Sequence, residues 1–290
     1  MKIIRTIQDM KQSIEHYRDL KKQIGFVPTM GFLHEGHLNL MREATKENDV
    51  VVASIFINPL QFGPNEDFER YPKDEQADTL HAEKAGVDVL FMPTVTEMYP
   101  KPMLMQMRIK GRTDVLCGRS RPGHFDGVLT VLTKLFHIIS PDKVYFGLKD
   151  AQQTAVVDAL IDDFNFPIEL VGLPTVREAN GLAKSSRNVH LTKQERNEAA
   201  WLYKGLQQGQ QLIRNGEHYP DNIIHLVTKT IEQHISGKID YVELLSYPSL
   251  EFVSSIDQQV ILATAVHFDK ARLIDNLILD NYGEIITRYN

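Results

Sequence analysis

The chain is 290 residues long, with apolar residues at 42%, charged residues at 24% and a formal charge of −6. Those proportions exclude a disordered or fibrous chain, and the acidic balance opposes the broad basic footprint of a nucleic-acid binder, although a small anion can still bind locally. The length exceeds what one hydrophobic core usually serves, and the single cysteine, Cys117, rules out an intramolecular disulfide and a thiolate zinc cluster, so two unequal domains in a reducing cytoplasm are expected.

Met1 to Lys22 reads as helical and charged throughout, with no apolar run that could act as a secretory core. Short β-branched or aromatic runs then recur at Ile24 to Val27, Val50 to Phe56, Val87 to Phe91, Val144 to Phe146 and Ile168 to Val171. The longest apolar run, Val50 to Ile57, falls far short of the roughly 20 residues that cross a bilayer as a helix, so it reads as buried strand and no membrane partner is expected. Helical periodicity fills the gaps near His37 to Asn48, Asp74 to Ala85, Phe125 to Ile139 and Ala151 to Phe164. Such alternation predicts a parallel sheet wrapped by helices.

After Thr175 the pattern changes. Thr192 followed by Glu195 is a capping-box signature that opens a long helix, and a second helix is predicted over Asp221 to Ile235. Asp240 to Leu245, Val260 to Val266 and Arg272 to Leu279 are strand-like without intervening helices, which predicts a small antiparallel sheet. The expected organisation is an α/β parallel-sheet domain over residues 1–176, a short hinge near Arg177 to Gly181, and a smaller α+β domain over 177–290. The tail from Asn281 to Asn290 carries no signal that can be read locally.

The most informative stretch follows the first of the apolar runs: Pro28-Thr29-Met30-Gly31-Phe32-Leu33-His34-Glu35-Gly36-His37, and then an amphipathic helix. Free backbone N–H groups and the positive end of a helix dipole converge at such a turn, which suits phosphate, and Gly31 and Gly36 would let backbone approach the ligand. His34 and His37 are three apart, so both can face the same phosphate oxygens. The next loop holds Asn58, Gln61 and Phe62, then the acidic pair Glu66 and Asp67 and Tyr71-Pro72. A glutamine amide there suits a substrate bearing hydroxyls and a carboxylate. Further on, His124 and Asp126 read as helix-capping residues, and Cys117 as structural. Gly147-Leu148-Lys149-Asp150 repeats the strand-to-helix placement ahead of Gln152 and Gln153. Lys184-Ser185-Ser186-Arg187 offers hydroxyl donors and a guanidinium fork for pyrophosphate, with Gly181 nearby to let the loop move.

Pro28 to His37 resembles the His-x-Gly-His signature of the nucleotidyltransferase and class I synthetase superfamily, whose members bind ATP on a Rossmann-like sheet and make adenylates. Taken with Asn58 to Gly63, Arg121 to Val128, Val144 to Gln153 and Pro174 to Asn188, the chain is similar to the pantothenate synthetase family over essentially its whole length. The resemblance implies ATP-dependent condensation of (R)-pantoate with β-alanine, through a pantoyl adenylate, to give pantothenate, AMP and pyrophosphate, with Mg2+ and a homodimer formed through the amino-terminal domain.

Carried onto this sequence, it places ATP at Met30, Gly31, Phe32, Leu33, His34, Glu35, Gly36 and His37, at Gly147, Leu148, Lys149 and Asp150, at Val176, and at Lys184, Ser185, Ser186 and Arg187. Pantoate falls to Gln61 and Gln153, with Gln61 also facing β-alanine and the His124 segment shaping the pantoate side. His37, His34, Lys149, Ser185 and Arg187 form the expected catalytic set, with His37 the expected proton donor. Leu148 and Ala151 stand where many relatives have a charged and an aromatic residue, and Lys184 where many have methionine. A different enzyme of the superfamily, such as a nicotinamide-mononucleotide adenylyltransferase, is opposed by Gln61, Gln153 and the His124 segment.

Overall fold

The computed structural model describes residues 1–63 and 68–289, which leaves Glu66 and Asp67 outside the described residues. Six strands, β1 (Lys2–Ile4), β2 (Ile24–Thr29), β3 (Val50–Ile55), β4 (Val89–Phe91), β5 (Lys143–Gly147) and β6 (Glu169–Leu173), form one sheet in the order β1-β4-β3-β2-β5-β6. Every pairing in it is parallel. The amino terminus is therefore not helical throughout: Lys2–Ile4 pairs with Val89–Phe91, and the helix runs only over Ile7–Asp19, α1. Three residues at a sheet edge leave no periodicity to read, so only the tertiary pairing defines this strand.

Both faces of this sheet are buried, as parallel sheets require. On one face Phe26, Val52, Phe91, Val144 and Leu170 pack against α1 and against Phe125, Val128, Leu132, Leu135 and Phe136 of α6 (His124–Ile139). On the other, Val27, Val51, Ala53, Leu90, Tyr145 and Val171 meet Leu40, Met41 and Ala44 of α2 (Glu35–Glu47) and Ala82 of α3 (Glu75–Lys84). The chain leaves β2 in one direction to β3 and in the other to β5, so the crevice at their carboxyl ends is the topological switch point where ligands of such sheets bind. Two short helices, α4 (Val95–Met98) and α5 (Leu116–Ser120), precede α6, and past β5 a 3₁₀ turn at Leu148–Asp150 leads into α7 (Ala151–Asp163).

The second sheet is antiparallel, with strands β7 (Lys238–Ser246), β8 (Val260–His267) and β9 (Arg272–Leu279) in sequence order. One of its faces packs on α8 (Lys193–Arg214) and α9 (Pro220–Glu232) through Leu202, Leu206, Ile223, Val227, Val260 and Leu262. Thr192 caps α8 as its sequence predicts: Glu195 N–H donates to Thr192 Oγ1 at 3.2 Å and Thr192 N–H to Glu195 Oε2 at 2.8 Å. The opposite face, with Tyr241, Leu245, Ile261, Ala263 and Ile278, is buried against Val115, Leu116, Leu148 and Ala151 of the first part of the chain. The apolar Leu148 and Ala151 thus serve as packing surface for the second sheet.

Candidate active site

The turn after β2 is built from its own hydrogen bonds. Gly31 and Phe32 adopt positive φ of 83° and 51°, which reverses the chain ahead of α2. Asp78 of α3, only 3% exposed, accepts from Phe32 N–H at 2.8 Å and Leu33 N–H at 2.7 Å, and Gly31 N–H donates to Thr29 Oγ1 at 3.2 Å. His34 is the N-cap of α2: its Nδ1 accepts from Gly36 N–H at 3.1 Å, while its own N–H donates to His37 Nδ1 at 3.3 Å. The sequence expectation of free turn amides needs correction, because these amides already have partners in the turn or in Asp78 of α3. A Cβ at Gly31 would lie 2.9 Å from Asp78 Oδ2, and one at Gly36 would lie 2.9 Å from His34 Cε1, so Gly31 makes room for the α3 carboxylate and Gly36 for the turn's own imidazole.

That arrangement fixes the imidazoles. With both Nδ1 atoms accepting backbone N–H groups, the ring proton of each histidine sits on Nε2. The rings lie 4.1 Å apart between centroids at 36°, and both line the cleft. Dehydration, then Lys149 and Lys184, lowers His34 to about 4 against the opposing pull of Asp150. Dehydration, then His34 and Lys149, lowers His37 to about 3, again opposed by Asp150. Both are neutral N–H donors at physiological pH.

The cleft at the switch point has a volume of about 250 Å³ and is lined by Met30, His34, Gly36 and His37 from the first turn and by Gly147, Lys149, Asp150 and Gln153 around the second. Gln61 and Val176 line it too, and so do Lys184, Ser185, Ser186 and Arg187. Four stretches far apart in sequence, at 30–37, 61, 147–153 and 176–187, therefore share one cavity. Gly31, Phe32, Leu33, Glu35 and Leu148 are not among its lining residues: Leu33 and Leu148 are buried, Gly31 and Phe32 shape the turn, and Glu35 pairs with Arg42.

Gln61, only 8% exposed, donates from Nε2 to Met30 Sδ at 3.1 Å and accepts from Asn58 Nδ2 at 3.2 Å. Asn58 is itself clamped, donating to Gly127 O at 3.0 Å and accepting from Tyr99 Oη–H at 2.9 Å. His124 is not a capping residue. Arg121 Nη1 lies 3.0 Å from its Nε2, and since arginine can only donate, Nδ1 carries the proton and gives it to Gln61 O at 2.8 Å. Asp126, also read as a cap, instead accepts from Ile109 N–H at 3.0 Å. Gln152 donates to the carbonyls of Arg112 and Val115, each at 2.9 Å, and so braces the wall beside Gln153.

The loop carrying Lys184 to Arg187 is held by a small hairpin. Arg177 bridges Ala183, Lys184 N–H donates to Val176 O at 2.9 Å, and Ser185 Oγ accepts from Arg187 N–H at 3.2 Å, which leaves the Ser185 hydroxyl proton to donate. Arg177, expected at a hinge, grips Asp275 of β9 with both terminal nitrogens at 2.6 and 2.9 Å, and its guanidinium lies 3.6 Å from the Tyr203 ring centre. Asn276, the next residue of β9, donates to Leu148 O at 3.0 Å and Lys149 O at 2.8 Å. Beyond Lys149 the cleft continues into a second cavity of about 330 Å³ bounded by Cys117, Tyr241 and Arg272, where the Cys117 sulfur lies 3.4 Å from both Tyr241 Oη and Arg272 Nη1.

The sequence model of the pantoate–β-alanine ligase family matches residues 2–278. The chain belongs to the pantoate–β-alanine ligase family. A pantothenate synthetase of Geobacillus sp. (strain WCH70) is 60% identical over 274 residues, which cover 94% of this chain and 97% of that protein. The crystal structure of pantothenate synthetase from Thermus thermophilus superposes with a TM-score of 0.90 at 40% identity, covering 97% of this chain and all of that one. A second family structure, pantoate–β-alanine ligase from Francisella tularensis complexed with β-γ ATP and β-alanine, gives a TM-score of 0.77 at 35% identity over 96% of this chain and 97% of that one. The α/β sheet followed by the antiparallel sheet is thus the architecture of this ligase family.

Proposed function

We propose that the chain condenses pantoate with β-alanine at the expense of ATP through a pantoyl adenylate, and that its cleft is where both half-reactions occur. The observation that carries this reading is the meeting, in one cavity, of His34 and His37, Lys149 and Asp150, the Lys184–Arg187 loop and the two glutamines Gln61 and Gln153. Each set suits one part of the ligands. The Nε2–H groups of the histidines, the Ser185 and Ser186 hydroxyls and the cations of Lys149 and Arg187 are donors for triphosphate oxygens, Val176 meets the adenine, and the glutamine amides match a hydroxy acid.

A carboxylic acid with an ordinary pKa near 4 is ionised at neutral pH, so pantoate needs no base before it attacks the α-phosphorus. What this step needs is alignment and neutralised charge, both supplied by fixed donors. His37 acts here as a hydrogen-bond donor through Nε2, a narrower role than the proton donor expected from sequence. In the second step the free amine of β-alanine attacks the acyl carbon, and AMP leaves. Gln61, clamped by Asn58 and Met30, holds the acyl group for that attack.

Magnesium fits this cleft as a companion of the triphosphate. Asp150, the one carboxylate among the described lining residues, has a half-exposed side chain, and magnesium is typically held by one or two carboxylates together with substrate phosphates. Bound there, it would neutralise charge on the departing pyrophosphate.

Residues 177–290 serve as the lid domain over residues 1–176, pivoting on the apolar contact of Leu148 and Ala151 with the second sheet. For the homodimer, the supporting feature is an apolar surface on the first part of the chain: Leu104 is 99% exposed and Met105 80%, beside a groove lined by Leu60, Val95, Tyr99 and Met107. Sedimentation of the wild type against L104E/M105E tests it, and unchanged mass would refute that face.

The activity is tested by incubating the protein with ATP, Mg2+, pantoate and β-alanine, each omitted in turn. AMP should appear in an amount equal to pantothenate only in the complete mixture. AMP formed without pantoate, or a requirement for a different acid, would overturn the assignment.

A further inference from the structure

Residues 280–289 lie beyond the part of the chain that the family model matches, yet they are tied to three elements of the nucleotide cleft. After β9 the chain turns at Gly283, with φ of 80°, and folds back so that Ile286 N–H donates to Ile278 O at 2.9 Å. It then crosses to the first sheet. Tyr289 N–H donates to Gly172 O at 3.0 Å, and Gly172 N–H donates to Tyr289 O at 2.6 Å. Strand β6 is an edge of that sheet, so its outer backbone groups are otherwise open to solvent, and this exchange satisfies a pair of them. The approach depends on a missing side chain: a Cβ at Gly172 would lie 2.9 Å from Tyr289 Cβ and 2.7 Å from Leu148 Cδ2.

The side chains extend the hold. Tyr289 Oη–H donates to Asp158 Oδ1 at 2.8 Å, while Arg112 Nη1 donates to Asp158 Oδ2 at 3.1 Å, and the Tyr289 ring packs edge-on against Tyr247 at 5.4 Å between centroids. Asp158 belongs to α7, the helix whose first turn carries Gln153. Arg288 pairs with Glu47 at 2.7 Å, and Glu47 also accepts from Tyr145 and Lys143. Glu47 ends α2, the helix that opens with the paired histidines.

We infer that Tyr289 and Arg288 are positioning residues for the nucleotide, acting from outside the cleft. The inference rests on the proposed ATP-dependent reaction. Gly172 lies two residues before Pro174 and four before Val176, both of which line the cleft, so fixing Gly172 fixes the start of the adenine-side segment. Through Asp158 the same tyrosine holds α7, and through Glu47 its neighbour holds α2. A segment continuous with the second sheet thereby sets where three elements of the first part present their ligand groups. Of the two glutamines, Gln61 stands on the far side of β2, next to β3, and takes no contact from this segment, whereas Gln153 rides on α7.

The test uses the full chain with Y289A, Y289F and R288Q. Y289A should raise KM for ATP about tenfold and Y289F about threefold, with KM for pantoate rising as well because α7 carries Gln153, whereas R288Q, which acts through α2 alone, should raise KM for ATP about threefold and leave KM for pantoate within about twofold of wild type. Amide exchange at Leu173, Thr175 and Val176 should accelerate in Y289A and, to a smaller extent, in Y289F, while that of Val51 to Ala53 in β3 stays unchanged. An unchanged KM for ATP in Y289F, a rise of KM for pantoate in R288Q as large as that for ATP, or unchanged exchange at 173–176 in Y289F, would overturn the positioning role. Should Y289A fail to fold, Y289F alone decides by the same readouts. A wild type that makes no AMP would instead remove the function on which the kinetic part rests, and the exchange measurement would still decide whether this segment holds β6.

Discussion

Replacing His37 by asparagine and, separately, by glutamine divides the two jobs of one ring. The asparagine carbonyl can take the place of Nδ1 and still accept the His34 N–H, now made at 3.3 Å, but the side chain ends short of the cleft. The glutamine amide reaches the Nε2 position and can donate there, while the backbone bond is lost. A hydrogen bond to a charged group is worth about 1.5–3 kcal/mol, so H37N should slow adenylate formation by about 10- to 150-fold. The backbone bond is neutral and worth about 0.5–1.5 kcal/mol, so H37Q should lose a few degrees of Tm and keep most of its rate. Rapid-quench measurement of the first turnover, with ATP, Mg2+ and pantoate but no β-alanine, reads the rate directly. Equal slowing in both variants would refute the argument that Nε2–H is the functional atom.

The other expectations concern the supports of the site and its titration. In G127A the new Cβ would lie 2.2 Å from Leu60 O and 2.6 Å from Gln61 N, so the turn bearing Gln61 must shift. Its KM for pantoate should rise about tenfold or more with KM for ATP nearly constant, and steady-state kinetics would expose a parallel rise as a contradiction. D78N sets an amide N–H2 against one of the two turn amides and should cost about 1–3 kcal/mol in stability, along with weaker ATP binding by calorimetry. Intact ATP affinity in D78N would show that the turn holds itself. Because His34 and His37 sit near 4 and 3 in the folded chain, below the ordinary 6.5, the unfolded chain binds more protons in between. Their contribution to stability is therefore complete above about pH 6.5 and fades as the pH falls toward 4 and 3. Thermal unfolding between pH 7 and 4 should show a smaller decline in an H34Q/H37N double variant, and an identical decline would contradict the dehydrated rings.

The strands and helices of the large sheet were legible because each carries a local pattern. Val50 to Phe56 is an uninterrupted apolar run, and α6 repeats apolar residues through Phe125, Val128, Leu132, Leu135 and Phe136. Lys2–Ile4 had no such pattern and exists as a strand only because β4 lies beside it. The candidate cleft was legible where side chains line it, as with His34, His37, Lys149 and Gln61. It was not legible where a side chain serves the backbone of a distant segment. Asp78 reaches the turn 45 and 46 residues earlier, and Asn276 reaches the 148–149 carbonyls across more than 120 residues. Neither carries a spacing signal. Gln61 offered one missed clue in Asn58 three positions before it, an amide that meets the same buried turn. The two glycines of the first motif also serve neighbours that the sequence did not name: the space they leave is taken by Asp78, Ile55 and His34.

Strand β9 places two adjacent residues, Asp275 and Asn276, on two segments that reach the cleft, one through Arg177 at the base of the Lys184–Arg187 loop and the other through the Leu148 and Lys149 carbonyls. The spacing of the two segments is therefore set by one strand, like the jaws of a caliper fixed to one bar. A shift of that bar carries both segments together and leaves their separation unchanged.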